Sequence, residues 1–211
     1  MKELSAPKID LSHTTLDYYS LAQKLKAMEW HQIDQAPWKE QYPYQPIAKF
    51  QIAYDDRSIV LHYDIEEEFV KGQYIRPNEN IWEDSCVEFF VSFDGKETYY
   101  NLEFNVLGTG LIGYGTMDRK SRQRLSEEQI LSVNCFSQVQ TIQGKKSWCL
   151  ILIVPLSIFG ISVSDLEKHT VAANFYKCGD SLPNPHFLAW NKIDNPNPNF
   201  HLPAFFGEIH F

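Results

Sequence analysis

The chain has 211 residues, of which 44% are hydrophobic and 22% are charged, as expected for one globular domain with its own core. The formal net charge of −8 argues against nucleic acid and anionic membrane surfaces as partners, because phosphate groups are bound by clustered Lys and Arg. The densest basic stretch, residues 119–124, also contains Ser and Gln and is interpreted as a solvated loop.

The N-terminal sequence carries no apolar run of signal-peptide length, and no segment approaches the ~20 apolar residues of a membrane span. We therefore expect a cytoplasmic protein, or a periplasmic or secreted one if an export signal has been removed. The cysteines are scattered without a CxxC pair, so the sequence predicts buried free thiols and no metal or redox site. They are Cys86, Cys135, Cys149 and Cys178. A disulfide is expected only in an exported protein.

The first 30 residues form an N-terminal extension with a short helical signal. Leu16, Tyr19 and residues 21–25 would share one face of a helix that ends near Trp30. The segment that follows, residues 34–46, is rich in Pro and aromatic residues. It is predicted to be an ordered loop that packs its rings against a sheet.

From residue 47 onward, short alternating strands are separated by turn signals. The first two, 47–54 and 58–65, flank the hairpin signal Asp55-Asp56-Arg57. Further strands are predicted at 84–93, 98–107, 131–141, 147–155, 169–178 and 205–211, with a bent or bulged strand in the glycine-rich segment 108–115. The segment 147–155 is apolar on both faces and should be a central strand. These patterns predict one all-β domain over residues 1–211, an antiparallel, jelly-roll-like β-sandwich with a short N-terminal helical segment.

One predicted strand presents a row of amide and carboxylate groups on a single face. Asn101, Glu103 and Asn105 alternate there with apolar residues, and Glu88 projects from the same face of the preceding strand. Sugar hydroxyls both donate and accept hydrogen bonds, and Asn and Glu can satisfy both functions. The row is therefore a candidate sugar-binding surface. The alternative is an ordinary solvent-exposed face of the sheet that binds no ligand.

Two tryptophans stand among Asn, Asp and Pro rather than inside apolar runs. Trp82 and Trp190 are candidates for flat platforms, because the axial C–H groups of a pyranose pack on an indole ring. The alternative is that each ring closes one end of the sandwich.

The segment IWEDSCVEFFVSFDGKETYYNLEFNVLG, residues 81–108, resembles the central signature of family 9 carbohydrate-binding modules. It has a Trp, an Asp two residues on, a Val-Glu strand, and a strand that ends in Asn-x-x-Gly. The runs AANFYKCG, HFLAWN and NFHLPAFFGEIHF resemble the C-terminal part of a subgroup of the same family. The resemblance spans roughly residues 30–211.

The resemblance implies an antiparallel β-sandwich that holds sugar between aromatic rings, with polar contacts on the sheet face. The implied contacts are Trp82 and Trp190 as platforms, Glu88, Glu103 and Asn105 as polar partners, Asn101 beside them, and Asn174 in the NFY motif. The expected function is non-catalytic binding of a mono- or oligosaccharide, in support of polysaccharide or oligosaccharide breakdown. The sequence does not indicate an oligomeric state.

Some members of the family hold structural calcium. Asp55, Asp56 and Asp64 offer oxygen ligands near a turn, but no Asp-rich loop has the spacing of a calcium site. We therefore predict no cofactor and keep structural calcium as an alternative.

Other functions remain open at this point. Glu88 and Glu103 on neighbouring strands would suit a retaining glycoside hydrolase if their carboxylates lay ~5 Å apart. A haem-binding sandwich would require an axial Met such as Met117 with a partner His, and none is evident. A protein-interaction sandwich would use an exposed aromatic tail that includes Phe205 and Phe206.

Overall fold

The structure, a computed structural model, describes residues 1–211 except for the side chain of Arg119. The described strands are, in chain order, β1 (Glu3–Ser5), β2 (His31–Gln32), β3 (Ile47–Tyr54), β4 (Ser58–Glu66), β5 (Cys86–Ser92), β6 (Tyr99–Asn105), β7 (Gly110–Gly115), β8 (Gln123–Arg124), β9 (Asn134–Ile142), β10 (Lys145–Pro155), β11 (Val171–Cys178), β12 (Phe187–Ala189) and β13 (Gly207–His210). The helices are α1 (Tyr18–Leu25), α2 (Glu127–Leu131) and α3 (Val163–Lys168).

These strands form two sheets that pack face to face. Sheet A has the order β1-β13-β11-β5-β6-β7-β8, with β12 also paired to β11, and sheet B has the order β2-β3-β4-β10-β9. The pairings are antiparallel except for the parallel pair β1–β13. The predicted β-sandwich is thereby confirmed. Strand β10 lies inside sheet B, as its apolar faces predict.

The core between the sheets is built from the inward-facing half of each strand. Phe50 of sheet B stacks on Phe175 of sheet A with ring centroids 3.6 Å apart, and Phe89 also stacks against Phe175. On β6, Leu102 and Phe104 point into this core. Strict alternation therefore sends their odd-numbered neighbours to the outer face of sheet A.

Helix α1 covers the outer face of sheet B and confirms the predicted short helical segment. It ends at Leu25 rather than near Trp30, and Leu16 and Tyr19 are exposed, so that part of the predicted face is wrong. Asp17 caps it by accepting a hydrogen bond from the Ser20 amide at 3.0 Å. Leu21 and Leu25 are buried against the sheet. Among the residues that the structure describes, no helix is both long and apolar enough to cross a membrane.

The chain ends are part of the sandwich. Strand β1 pairs with β13, and Leu4 and Ala6 belong to the core, so residues 1–30 are not a detached extension. The C-terminal segment folds across the outer face of sheet A, where Phe206 is fully buried. The expectation of an exposed Phe206 is therefore wrong, whereas Phe205 is half-buried.

Candidate functional site

A cleft of about 710 Å³ opens on the outer face of sheet A. Strands β5, β6 and β7 form its floor. Its walls come from the 3₁₀ turn Ile81–Glu83, from the segment around β8, and from the loop that follows β12. The residues that line it are Tyr42, Trp82, Glu88, Asn101, Glu103, Leu111, Gly113, Arg122, Gln123, Arg124, Asp180, Phe187, Pro198, Asn199, Phe200 and His201.

The floor is polar and almost completely buried. Glu88 and Glu103 face each other across the β5–β6 pair, and Asn101 lies two residues from Glu103 on the same face. The exposed fractions of these three side chains are 4%, 5% and 4%. Four sequence-predicted residues, Trp82, Glu88, Asn101 and Glu103, thus meet in one cleft.

A chain of hydrogen bonds orients the floor. The Arg122 guanidinium donates to Asn101 Oδ1, and Asn101 Nδ2 donates to Glu103 Oε1 at 2.9 Å. Arg122 also lies 4.0 Å from the centroid of the Tyr99 ring and donates to the Gly115 carbonyl oxygen. A charge at one wall therefore fixes the position of an amide and, through it, of a carboxylate.

The interpretation of residues 119–124 as a solvated loop is wrong for Arg122, which is half-buried in the wall of the cleft. The side chain of Arg119 lies outside the described part of the chain. Sequence reasoning missed Arg122 because its contacts with Asn101 and Tyr99 form only when β6 folds beside the segment that holds Arg122.

Burial changes the acidity of both floor carboxyls. Burial raises the pKa of Glu103 to about 7, although the hydrogen bond from Asn101 opposes the shift. Burial, together with the nearby Glu103, raises the pKa of Glu88 well above its ordinary value. The Cys178 thiol donates to Glu88 Oε1 at 3.0 Å. Two carboxyl groups with shifted acidity therefore share the floor.

One acceptor on this floor lacks a donor. Glu103 Oε2 is buried and has no hydrogen-bond partner among the described residues. A buried acceptor without a partner costs about 1–3 kcal/mol, so it is rare in a folded protein. The atom belongs to a side chain that lines the cleft, where a ligand hydroxyl can supply the missing donor.

Aromatic rings line the rim above the polar floor. Trp82 is half-buried, and the Arg124 guanidinium carbon lies 5.8 Å from the centroid of its ring. Tyr42 and Phe187 pack edge to face at 4.7 Å, and Phe200 lies beside them. Apart from Trp82, these rim residues were missed by sequence reasoning. Their only signal is an aromatic- and Asn-rich composition that core packing explains equally well.

Trp190 does not reach the cleft. Its ring is 2% exposed and packs edge to face against Phe50 and Phe175 in the core. The prediction of a second platform at Trp190 is therefore wrong. The surrounding polar residues suggested a loop, but the tryptophan itself follows β12 into the space between the sheets.

Asn174 and Asn105 are also placed outside the cleft. Asn174 is fully buried and exchanges hydrogen bonds with the backbone of Asn191 at 3.1 and 2.9 Å. Asn105 donates to Asp84 Oδ2 at 3.0 Å and accepts from the backbone of the turn that follows β6. Both amides hold the loops that build the cleft walls, so they support its shape without lining it.

The aspartates considered for calcium do not form one group. Asp56 pairs with Lys8 at 2.8 Å, whereas Asp64 pairs with Lys49 at 3.0 Å near the other end of β4. The eight residue steps from Asp56 to Asp64 span roughly 25 Å in an extended chain. A calcium site built from Asp55, Asp56 and Asp64 together is therefore excluded.

Comparison with known proteins places the chain in a family. The family described as "Carbohydrate-binding family 9" matches residues 19–211. A structure from Bacteroides uniformis ATCC 8492, provisionally described as a carbohydrate-binding protein, is 38% identical. The match covers 99% of this chain and 98% of that one, with a TM-score of 0.89.

Two more distant structures share the fold. They are complexes of a family 9 carbohydrate-binding module from Caldicellulosiruptor kristjanssonii with glucose and with cellotriose. Their identities are 12% and 11% and their TM-scores 0.64 and 0.61. The matches cover 99% of this chain and 95% and 93% of those chains. No protein with a curated description matches the chain significantly. On the match over residues 19–211, this chain belongs to carbohydrate-binding family 9.

Proposed function

We propose that the cleft binds a mono- or oligosaccharide without cleaving it. The observation that carries this proposal is the unpaired, buried Glu103 Oε2 on a floor that otherwise consists of paired polar groups. A sugar hydroxyl supplies the donor that this oxygen lacks, and a buried acceptor left without a donor costs about 1–3 kcal/mol. The cleft volume also falls within the ~300–1,000 Å³ common for small-molecule sites.

The rim complements this floor. A pyranose has apolar C–H faces and a polar edge, so it matches a site with the Trp82 ring on a wall and Glu103 at the base. The Caldicellulosiruptor structures contain glucose and cellotriose. Neutral glucose-based sugars are therefore the first ligands to test. We propose that binding of such a sugar supports the breakdown of poly- or oligosaccharides.

Hydrolysis is the alternative that the paired carboxyls raise. A retaining mechanism requires one ionised nucleophile and one protonated acid. Burial raises the pKa of both Glu88 and Glu103, which favours protonation of both rather than this division of roles. Binding is therefore the better-supported function. Turnover of aryl glycosides that disappears in Glu88→Gln would instead establish a hydrolase.

Isothermal titration against glucose, xylose, cellobiose, cellotriose and xylobiose tests the proposal. We expect saturable binding of at least one sugar, at least tenfold weaker in Trp82→Ala. Trp30→Ala is the matched control, because Trp30 is also half-buried but lies on sheet B near His62. It should bind as the wild type does. Absence of binding across a broad glycan panel, or equal losses in both variants, would reject the proposal.

A further inference from the structure

Three potential metal ligands lie together on the outer face of sheet A, and one of them, Glu88, lines the cleft. Cys86 and Cys178 are directly opposite each other on β5 and β11, and Glu88 follows Cys86 on the same face of β5. The two Sγ atoms and a carboxylate oxygen of Glu88 all lie within 4.8 Å of one another. The sequence does not reveal this group, because the two cysteines are far apart along the chain.

The chemistry of this group suits a thiophilic cation. Thiolate and carboxylate are common ligands of Zn²⁺, with bonds of about 2.0–2.3 Å, so ligand atoms around a tetrahedral ion lie roughly 3.3–3.8 Å apart. Cys178 Sγ is already 3.0 Å from Glu88 Oε1. Small side-chain rotations would therefore bring the three atoms to one ion, without a change in the backbone.

The surroundings provide a second, independent observation. Glu103 lies opposite Glu88 across β5–β6, is 5% exposed, and has an oxygen without a partner among the described residues. A cation bound to Glu88 would bring positive charge next to this unpaired oxygen. Because Glu88 lines the cleft, an ion also has a path to the two buried thiols.

We propose that Cys86, Glu88 and Cys178 bind one thiophilic divalent cation such as Zn²⁺, with its fourth coordination position facing the cleft. The two thiol protons, and the carboxyl proton of Glu88 when that group is protonated, leave to water as the bonds to the metal form, because coordinating thiols and carboxyls are deprotonated by the metal. No electron is transferred. The proposal rests on the proximity of Cys86, Glu88 and Cys178 and does not depend on sugar binding, although Glu88 also belongs to the floor of the cleft.

Cobalt provides a direct readout of the ligands. The reduced protein is freed of metal with a chelator and titrated with Co²⁺, and thiolate coordination is followed by its sulfur-to-cobalt charge-transfer absorption. We expect saturation at about one equivalent and loss of the band when Zn²⁺ is added. Zn²⁺ should also raise the melting temperature, since a ligand that binds only the folded state stabilises it.

Variants distinguish metal binding at Cys86, Glu88 and Cys178 from metal binding by the other cysteines. Cys86→Ser and Cys178→Ser should each weaken Co²⁺ binding at least tenfold and change the charge-transfer band, and Glu88→Gln should weaken binding while the band persists. The matched control is the double variant C135S/C149S, because these two free cysteines lie in sheet B. Circular dichroism confirms that each variant is folded.

Several results would overturn the proposal. One is a missing charge-transfer band in folded, reduced wild-type protein. Another is a band that is lost in C135S/C149S but retained in C178S. A third is a thiol titration of the unreduced, unfolded protein that finds Cys86 and Cys178 joined as a disulfide. Failure of the sugar proposal would leave the cobalt result unchanged, so the two hypotheses can be separated.

Discussion

Glu88 and Glu103 face each other directly across the β5–β6 pair, and less than one tenth of either side chain is exposed. Two buried carboxyl groups side by side are unfavourable for stability, because each loses hydration and repels the ionised form of the other. Such an arrangement is typical of a binding or catalytic site. The pair therefore lowers the stability of the fold, and its presence is better explained by a function of the cleft than by a contribution to folding.

Glu103→Gln should stabilise the protein and weaken sugar binding. Burial raises the pKa of Glu103 from 4.5 to about 7, so ionisation opposes folding once the pH exceeds the unfolded value. The variant should gain up to about 3 kcal/mol in the free energy of unfolding at pH 8, with most of this gain lost near pH 4.5.

The same variant replaces an acceptor with an amide donor at Oε2, so sugar affinity should fall about tenfold or more. Urea unfolding at several pH values and isothermal titration provide the measurements, with the exposed Glu97→Gln as control. Lower stability at pH 8, or unchanged affinity for a sugar that the wild type binds, would contradict the assignment of Glu103.

Gly113→Ala should disturb the floor through Asn101. A Cβ at position 113 would lie 2.5 Å from Asn101 Oδ1, so the amide must move away from Arg122 and Glu103. We expect sugar affinity to fall about tenfold, while stability changes by only about 1 kcal/mol because the side chain can rotate. Adding the same change to Asn101→Ala should have little further effect on affinity. Additive losses in the double variant would mean that Gly113 acts by another route.

Lys177→Met should destabilise the fold strongly. Lys177 Nζ lies 2.9 Å from Glu67 Oε2, and Trp148 Nε1 donates to Glu67 Oε1 at 2.6 Å, all in the interior. Removal of Lys177 takes away the cationic partner of the buried Glu67 carboxylate and leaves Trp148 and the neutral ring of His186 beside it, which costs about 3–5 kcal/mol.

The double variant K177M/E67Q should recover most of that loss, because the amide remains neutral and can still accept from Trp148. Chemical denaturation of the wild type, the single variant and the double variant measures this recovery. Equal stabilities of the single variant and the wild type would show that the ion pair is unimportant.

His62 should make stability depend on pH. Burial lowers the pKa of His62 to about 4, although Asp64 opposes the shift, and the ring is bonded to Gln51 Oε1 at 3.0 Å. The unfolded chain takes up this proton near pH 6.5, so stability falls as the pH drops from about 6.5 to 4, by up to about 3 kcal/mol.

His62→Gln should flatten part of this profile. Some dependence will remain, because burial lowers the pKa of His186 to about 3. Urea midpoints between pH 4 and 8 provide the measurement. Identical slopes in the wild type and the variant would show that His62 is not the responsible group.

Alternation and turn signals were enough to predict the sandwich. The period-2 pattern of 98–107 sends Leu102 and Phe104 inward, so it also predicts that Asn101 and Glu103 share the outer face. Trp82 was predicted as a site residue for a similar reason, because an aromatic ring among polar residues seldom belongs to an apolar strand. These features depend on local pattern, which the sequence contains in full.

Only the tertiary structure decided which outward-facing residues line the cleft. Asn105 and Trp190 looked equally suitable, but one organises a turn and the other fills the core. Arg122 and the pairing of Cys86 with Cys178 depend on strands that are distant in sequence. Periodicity determines the face on which a side chain lies, whereas sheet order and loop packing determine what covers it, because those contacts form between distant parts of the chain.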